Sequence, residues 1–213
     1  MIAIIGGSGE LGRGLAERLA LSGESVIIGS RSPERGMRAA EEIAKKIGKK
    51  VEGGSNRDAA ERADIVVLSI PFEGLEEIAE EVKDAVKGKI VVSVIVPIKF
   101  GKVLEYFRPP AGSAAEEVSK ALPEAKVVSA FHTVGAKQLQ NLDAPIKCDV
   151  VVCGDDERSK RRVMEMIEKI EGMRAVDGGP LQNSRLVEAT VALLIELTRR
   201  YRVPGVSIRF EGI

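Results

Sequence analysis

Tryptophan is absent from these 213 residues, histidine occurs once and cysteine twice. Net charge is missing too, since 32 basic residues balance 32 acidic ones. Each shortage removes a class of function. A balanced chain exerts no overall pull on nucleic acid, so no nucleic-acid partner is expected. No apolar run reaches membrane-spanning length, and the opening residues lack the basic start and small-residue cleavage site of a secretory signal. The expectation is a cytoplasmic protein with no membrane partner. Cys148 and Cys153 lie in one apolar, strand-like run, and their odd separation points them to opposite faces. That argues against a bridge or a shared metal site. Neither a metal centre nor a Ser/His/Asp set is expected. Asparagine and glutamine are scarce beside Lys, Arg and Glu, the pattern of hyperthermophile proteins in which ion-pair networks replace thermolabile amides. What remains is 44% hydrophobic and 30% charged, ample for a packed core.

The first dozen residues organise the rest. Met1 to Ile5 is a short apolar run without helical period, followed by Gly6-Gly7-Ser8-Gly9-Glu10-Leu11-Gly12 and a helical stretch from Arg13 to Leu21. Gly7, Gly9 and Gly12 occupy the G-x-G-x-x-G positions of a dinucleotide site, between strand and helix as that motif requires. The first glycine is expected to allow a tight turn and the second a close approach to pyrophosphate. The third is expected to let the helix pack on the strand, with free amides at the helix start facing the anion.

A second strand, Glu24 to Gly29, ends in Ser30-Arg31-Ser32-Pro33-Glu34-Arg35. NAD-binding chains usually place a carboxylate at this strand tip for the ribose 2′-hydroxyl. Here a serine and two arginines stand instead. A 2′-phosphate wants a hydroxyl donor and guanidinium forks, so Ser30, Arg31 and Arg35 point to NADP(H).

Strands and helices then alternate. A helix is expected over Pro33–Ile47, a short strand over Lys50–Gly54, and a brief helix over Arg57–Arg62 capped by Asn56. A buried strand follows over Asp64–Ile70, then a helix over Glu73–Val86 and a strand over Lys89–Val94. This order predicts a doubly wound, mostly parallel α/β sheet. Gly7–Gly12, Ser30–Arg31, Ser69–Phe72 and Val94–Pro97 then fall at the carboxyl ends of four strands, where ligands of such sheets bind. Ile98 to Gly112 is irregular and carries Lys99, Lys102, Tyr106 and Arg108. Ser113-Ala114-Ala115-Glu116 fits a capping box for a helix to Leu122. The strand Lys126–Phe131 delivers His132 to a glycine-containing loop, a place where site residues are found. Further on come a strand at Lys147–Cys153, a charged helix at Asp155–Glu171 and a strand at Met173–Val176. A helix from Leu181 to Tyr201 is so apolar that it must be buried all round or form a subunit contact. The tail Gly205–Phe210 reads as a last strand or a lid.

These motifs closely resemble the archaeal reduced-coenzyme-F420:NADP oxidoreductases. The resemblance rests on Ile4 to Gly12, Gly29-Ser30-Arg31, Ser69-Ile70-Pro71, Val127 to Thr133, Cys153 to Asp156 and, most selectively, Gly179 to Glu188. It covers nearly the whole chain. Departures fall at Phe72 and across Gly135 to Pro145. The cytosolic domains of membrane ferric reductases carry similar motifs. The resemblance implies a Rossmann-type sheet, with an NADP-binding domain over 1–145 and a small C-terminal α/β cap over 146–213 continuing the same compact unit. It implies reversible hydride transfer between NADP(H) and the 8-hydroxy-5-deazaflavin coenzyme F420, while the apolar helix Leu181–Tyr201 favours a homodimer. By position, Gly7 and Ser8 to Gly12 would hold the pyrophosphate, and Ser30, Arg31 and Arg35 the 2′-phosphate. Ile70, Pro71, Phe72, Val96 and Ala136 would flank the nicotinamide. Val96, Pro97, His132, Val134 and Val206 would border the deazaflavin.

Hydride transfer between stacked rings depends on positioning, and the cofactors carry the chemistry. No catalytic side chain is therefore expected. Two other readings keep the NADP(H) site: a reductase of a flavin, ferric chelate, imine or carbonyl compound, and a redox sensor that binds NADP(H) without turnover.

Overall fold

The computed structural model describes residues 1–99, 101 and 104–213. It opens with β1 (Ile2–Ile5), α1 (Glu10–Leu21), β2 (Val26–Ser30), α2 (Pro33–Ile47) and β3 (Glu52–Ser55). Next come α3 (Asn56–Arg62), β4 (Ile65–Leu68), a 3-10 turn (Phe72–Gly74), α4 (Leu75–Val82) and β5 (Ile90–Ser93). A two-strand hairpin, β6 (Ile98–Lys99) and β7 (Glu105–Tyr106), precedes α5 (Ala114–Ala121), β8 (Lys126–Ser129) and α6 (Ala136–Gln140). The last part holds β9 (Cys148–Gly154), α7 (Glu157–Glu168), β10 (Met173–Asp177), a 3-10 turn (Leu181–Asn183) and α8 (Ser184–Tyr201).

Eight strands form one sheet in the order β10-β9-β8-β5-β4-β1-β2-β3, with every pairing parallel except β8–β9. The period of two along each strand sorts side chains between two helical layers. Ile2, Ile4, Ile28 and Val67 pack with Leu15, Ile43 and Met166 of α1, α2 and α7. Ala3, Ile5, Ile27 and Val66 face Ala59, Ile78 and Val118 of α3, α4 and α5. Burial on both faces explains why β1 and β4 read as continuous apolar runs. β9 and β10 extend this same sheet, so residues 146–213 carry its far edge. Cys148 and Cys153 are both buried and unbridged. Among the described residues no helix is long and apolar enough to cross a membrane.

Several boundaries differ from the sequence expectation. α1 starts three residues early because Gly9 already takes the N-cap conformation. Ser55, not Asn56, caps α3, accepting a hydrogen bond from the Asp58 amide at 3.0 Å. α4 ends at Val82, and turns carry the chain to Gly88. The segment expected to be irregular contains the β6–β7 hairpin, and Lys102 lies outside the described residues. The capping box is half formed: Ser113 Oγ accepts from the Glu116 amide at 3.2 Å, while the Glu116 carboxylate turns to Arg185 at 2.6 Å. The tail beyond Arg202 is neither helix nor strand.

α6 has no sequence signal at all. Five residues cannot sustain a helix alone, and tertiary contacts make this one. The buried Arg18 of α1 donates to the carbonyls of Leu139 and Ala144, each at 3.0 Å, and to that of Asn141. Gly14 of α1 leaves the room that Leu139 occupies.

α8 is not buried all round: Leu186 is 72% exposed and Leu193 59%. One inward carboxylate anchors it. Glu188, fully buried, accepts the amides of Ala114 at 2.7 Å and Ala115 at 3.0 Å, so α8 caps the start of α5. Burial pushes the Glu188 carboxyl up from its ordinary 4.5 to about 7, against the pull of those two amides. The folded chain thus holds this proton more tightly than the unfolded one. Stability from this site is greatest below about pH 4.5, falls as pH rises toward 7, and is level above that. The shift corresponds to roughly 3 kcal/mol at most. Denaturant titrations at pH 5 and 7.5 should show wild type losing stability relative to Glu188→Gln as pH rises; an unchanged difference would contradict the assignment.

Candidate functional site

The β1–α1 junction is built by steric exclusion. Gly6 has φ +75° and an added Cβ there would strike the Ser69 carbonyl. The turning residue is therefore Gly6, one position before the glycine expected to turn. Gly7 serves close packing instead, since a Cβ on it would lie 2.7 Å from the Ile4 carbonyl oxygen and 2.9 Å from Ile28 Cδ1. Gly12 packs α1 on the loop rather than on the strand, because its Cβ would fall 2.7 Å from Gly7 Cα. Around Gly9 the space is open: a Cβ would meet nothing nearer than the Gly6 oxygen at 3.4 Å. As N-cap, Gly9 offers no side chain to the first-turn amides of α1, which keeps them available to an anion. Clamps hold the loop from outside. Arg13 Nε donates to the Ser8 carbonyl at 3.1 Å while its guanidinium pairs with Glu42 at 2.6 Å. Gln140 of α6 donates to the Glu10 carbonyl at 2.7 Å.

Beyond the carboxyl ends of β1, β2 and β4 lies a cavity of about 470 Å³. Ser8, Gly9, Ser30, Arg31, Arg35, Ile70 and Pro71 line it together. Gly7, Glu10, Leu11 and Gly12 belong to the same loop without lining the cavity. Phe72 borders a different cavity of about 710 Å³. There its ring meets Phe107 edge-on at 5.3 Å, and Lys99 Nζ sits 5.2 Å from the Phe107 ring centre. Val96 and Ala136 are half-buried and line neither cavity.

The first cavity is polar where the second strand ends. Arg31 and Arg35 are exposed and have no ion-pair partner among the described residues. The nearby carboxylate, Glu34, accepts a 2.6 Å bond from Ser32 Oγ at the start of α2. That bond holds the Glu34 carboxyl below its ordinary value. Glu73 and Glu77 enter from the 3-10 turn and α4. Asn56 also lines the cavity and escaped the sequence reading. Its Nδ2 donates to Glu81 at 2.9 Å, and its Oδ1 has no partner. The rule applied to four strand ends, extended to β3, would have reached it.

The segments leaving β5 and β8 are joined by the Ala130 amide on the Ser93 carbonyl at 3.2 Å and, further out, by His132. His132 is buried, and its Nε2 lies 3.2 Å from the Ile95 carbonyl oxygen. A carbonyl only accepts, so Nε2 carries the hydrogen and Nδ1 presents a bare lone pair. That Nδ1 is buried without a partner. Burial lowers the His132 pKa to about 4, partly offset by the bond to Ile95. The ring is neutral at pH 7 and donates no proton from a charged form. Phe131, just before it, holds φ +66°, a conformation costing a bulky residue about 1–3 kcal/mol. Pro97 and Val134 are buried, and Val206 is half-buried in the tail. None of them shares the first cavity.

The family model described as NADP oxidoreductase coenzyme F420-dependent matches residues 1–97. The F420-dependent NADP reductase of Methanocaldococcus jannaschii is 43% identical over 220 residues, spanning all of this chain and 98% of that protein. The chain belongs to the F420-dependent NADP reductase family. A second member, from Methanothermobacter marburgensis, is 38% identical over the same shares of both chains. The crystal structure of a candidate F420-dependent NADP-reductase from Arthrobacter sp. FB24 superposes with a TM-score of 0.85 over 98% of each chain. At 24% identity that likeness speaks for the fold alone.

Proposed function

We propose that the chain transfers a hydride reversibly between NADP(H) and coenzyme F420. The observation that carries this reading is one cavity that joins a glycine amide cradle to Arg31 and Arg35, which have no ion-pair partner among the described residues. The donor set fits the cofactor: open amides suit a pyrophosphate, and arginine forks beside a serine suit a 2′-phosphate. Names carried by the full-length relatives supply the second partner.

When bound, the nicotinamide and deazaflavin rings supply the redox chemistry. The chain's own residues bind and align. Gly7 and Ser8 to Gly12 take the pyrophosphate, and Ser30, Arg31 and Arg35 take the 2′-phosphate. Ile70, Pro71, Phe72, Val96 and Ala136 flank the nicotinamide. Val96, Pro97, His132, Val134 and Val206 border the deazaflavin. The neutral His132 ring positions and does not protonate. Alignment of this kind is the main help a bimolecular ring-to-ring transfer needs.

The functional unit is a homodimer in this reading. Exposed Leu186 and Leu193 on α8 form an apolar surface, and a second copy of α8 is the occupant its self-complementary apolar stripe suits. Sedimentation at micromolar concentration should give about twice the 22.8 kDa chain mass; a monomer would contradict the dimer. For the activity, mixing the protein with NADPH and oxidised F420 near neutral pH should bleach the deazaflavin absorbance. Persistent absorbance with NADPH bound would transfer the assignment to another acceptor or to a sensor.

A further inference from the structure

We propose that Asp149 is a positioning residue: it ties the C-terminal strap, residues 203–213, to the loop after β8 and so holds Val206 at the deazaflavin side of the site. This rests on the reading above, in which Val206 and the residues around Thr133 border that ring.

The strap has neither helix nor strand to define its register. It fills a gap in the sheet. β8 pairs with β9 only through Val128–Gly154 and Ser129–Cys153, leaving the first residues of β9 open on that side. The strap enters there: the Asp149 amide donates to the Ile208 carbonyl at 2.8 Å. Ser207 Oγ donates to the Lys147 carbonyl at 3.2 Å.

The Asp149 side chain, wholly buried, then fixes the strap's far end. Its carboxylate accepts the Phe210 amide at 2.6 Å and two bonds from Arg174, one of them 3.0 Å long from Nε. Arg174 donates in turn to the Phe210 carbonyl at 2.7 Å. In the other direction, Thr133 Oγ1 donates to the Asp149 carbonyl at 2.7 Å. Thr133 stands between His132 and Val134. One residue therefore grips both segments assigned to the second ring. The strap's near end is braced as well. The Val206 amide donates to Thr198 Oγ1 at 3.0 Å, and a Cβ on Gly205 would lie 2.9 Å from Gln138.

An ion pair with one partner buried and the other a third exposed is a poor way to gain stability alone. What it adds is direction. Two-pronged guanidinium bonds from Arg174 of β10 fix the carboxylate, and the strap is held to that pair through the Phe210 amide and carbonyl, while Asp149 does not line the NADP(H) cavity.

The test compares wild type with Asp149→Asn and with a chain ending at Arg209. The second variant removes only exposed residues, so it decides the matter if the first fails to fold. Amide exchange across residues 205–209 reads the strap, and steady-state kinetics read the site. Both variants should exchange faster there, with kcat/KM for F420 lowered roughly tenfold and KM for NADPH unchanged, since Asp149 does not line the NADP(H) cavity. A loosened strap with unchanged kcat/KM for F420, or an equal weakening toward NADPH, would overturn the proposal. Wild type that turns over no F420 would instead overturn the functional reading, and this inference with it.

Discussion

The arrangement depends on amide groups that no side chain is allowed to satisfy. At the start of α1, glycine occupies every position where a Cβ would fill the loop, turn it wrongly or cap the helix. The first-turn N–H groups and the helix dipole are consequently left facing the crevice. Keeping donors open has a cost in local stability, and the surroundings supply compensation. Arg13 braces the loop from α1 and Gln140 from α6, while α6 itself is held by the buried Arg18. A cradle this exposed stays in shape because rigid elements grip it from behind.

The same division of labour recurs on the other side of the sheet. Segments lacking hydrophobic period are fixed by single buried carboxylates. Glu188 joins α8 to the start of α5, and Asp149 joins the tail to β9 and the β8 loop. Both carboxylates accept backbone amides, so they act as caps supplied from a distant part of the chain. The Gly179–Glu188 stretch, the most selective part of the family likeness, thus carries a fold-closing clasp as well as the head of α8.

How far the sequence could be read follows from this. Strands buried on both faces and helices with clear caps are local features, and β1, β2, β4 and β5 were legible from runs such as Ile65–Leu68. The glycine cradle and the arginine pair were legible because each obeys a spacing rule. Asn56 was not, since its importance comes from Ser55 taking the cap and leaving the amide to Glu81. α6 was invisible because Arg18, more than a hundred residues earlier in the chain, makes it. The positive φ at Gly6 instead of Gly7 reflects the Ser69 carbonyl of a neighbouring strand end, which no local pattern reports. α8 was legible as an apolar helix, but the inward role of Glu188 was not, since the α5 amides it accepts lie more than seventy residues earlier in the chain.

The central claim is that open amides and the guanidiniums of Arg31 and Arg35 together select a phosphorylated dinucleotide. Titrating NADPH and NADH into wild type and into the Arg31→Ala, Arg35→Ala double variant tests it most directly. Loss of two charge-assisted contacts should weaken NADPH by roughly 100-fold and NADH by no more than about threefold. Equal weakening of both dinucleotides, or none of either, would contradict the account.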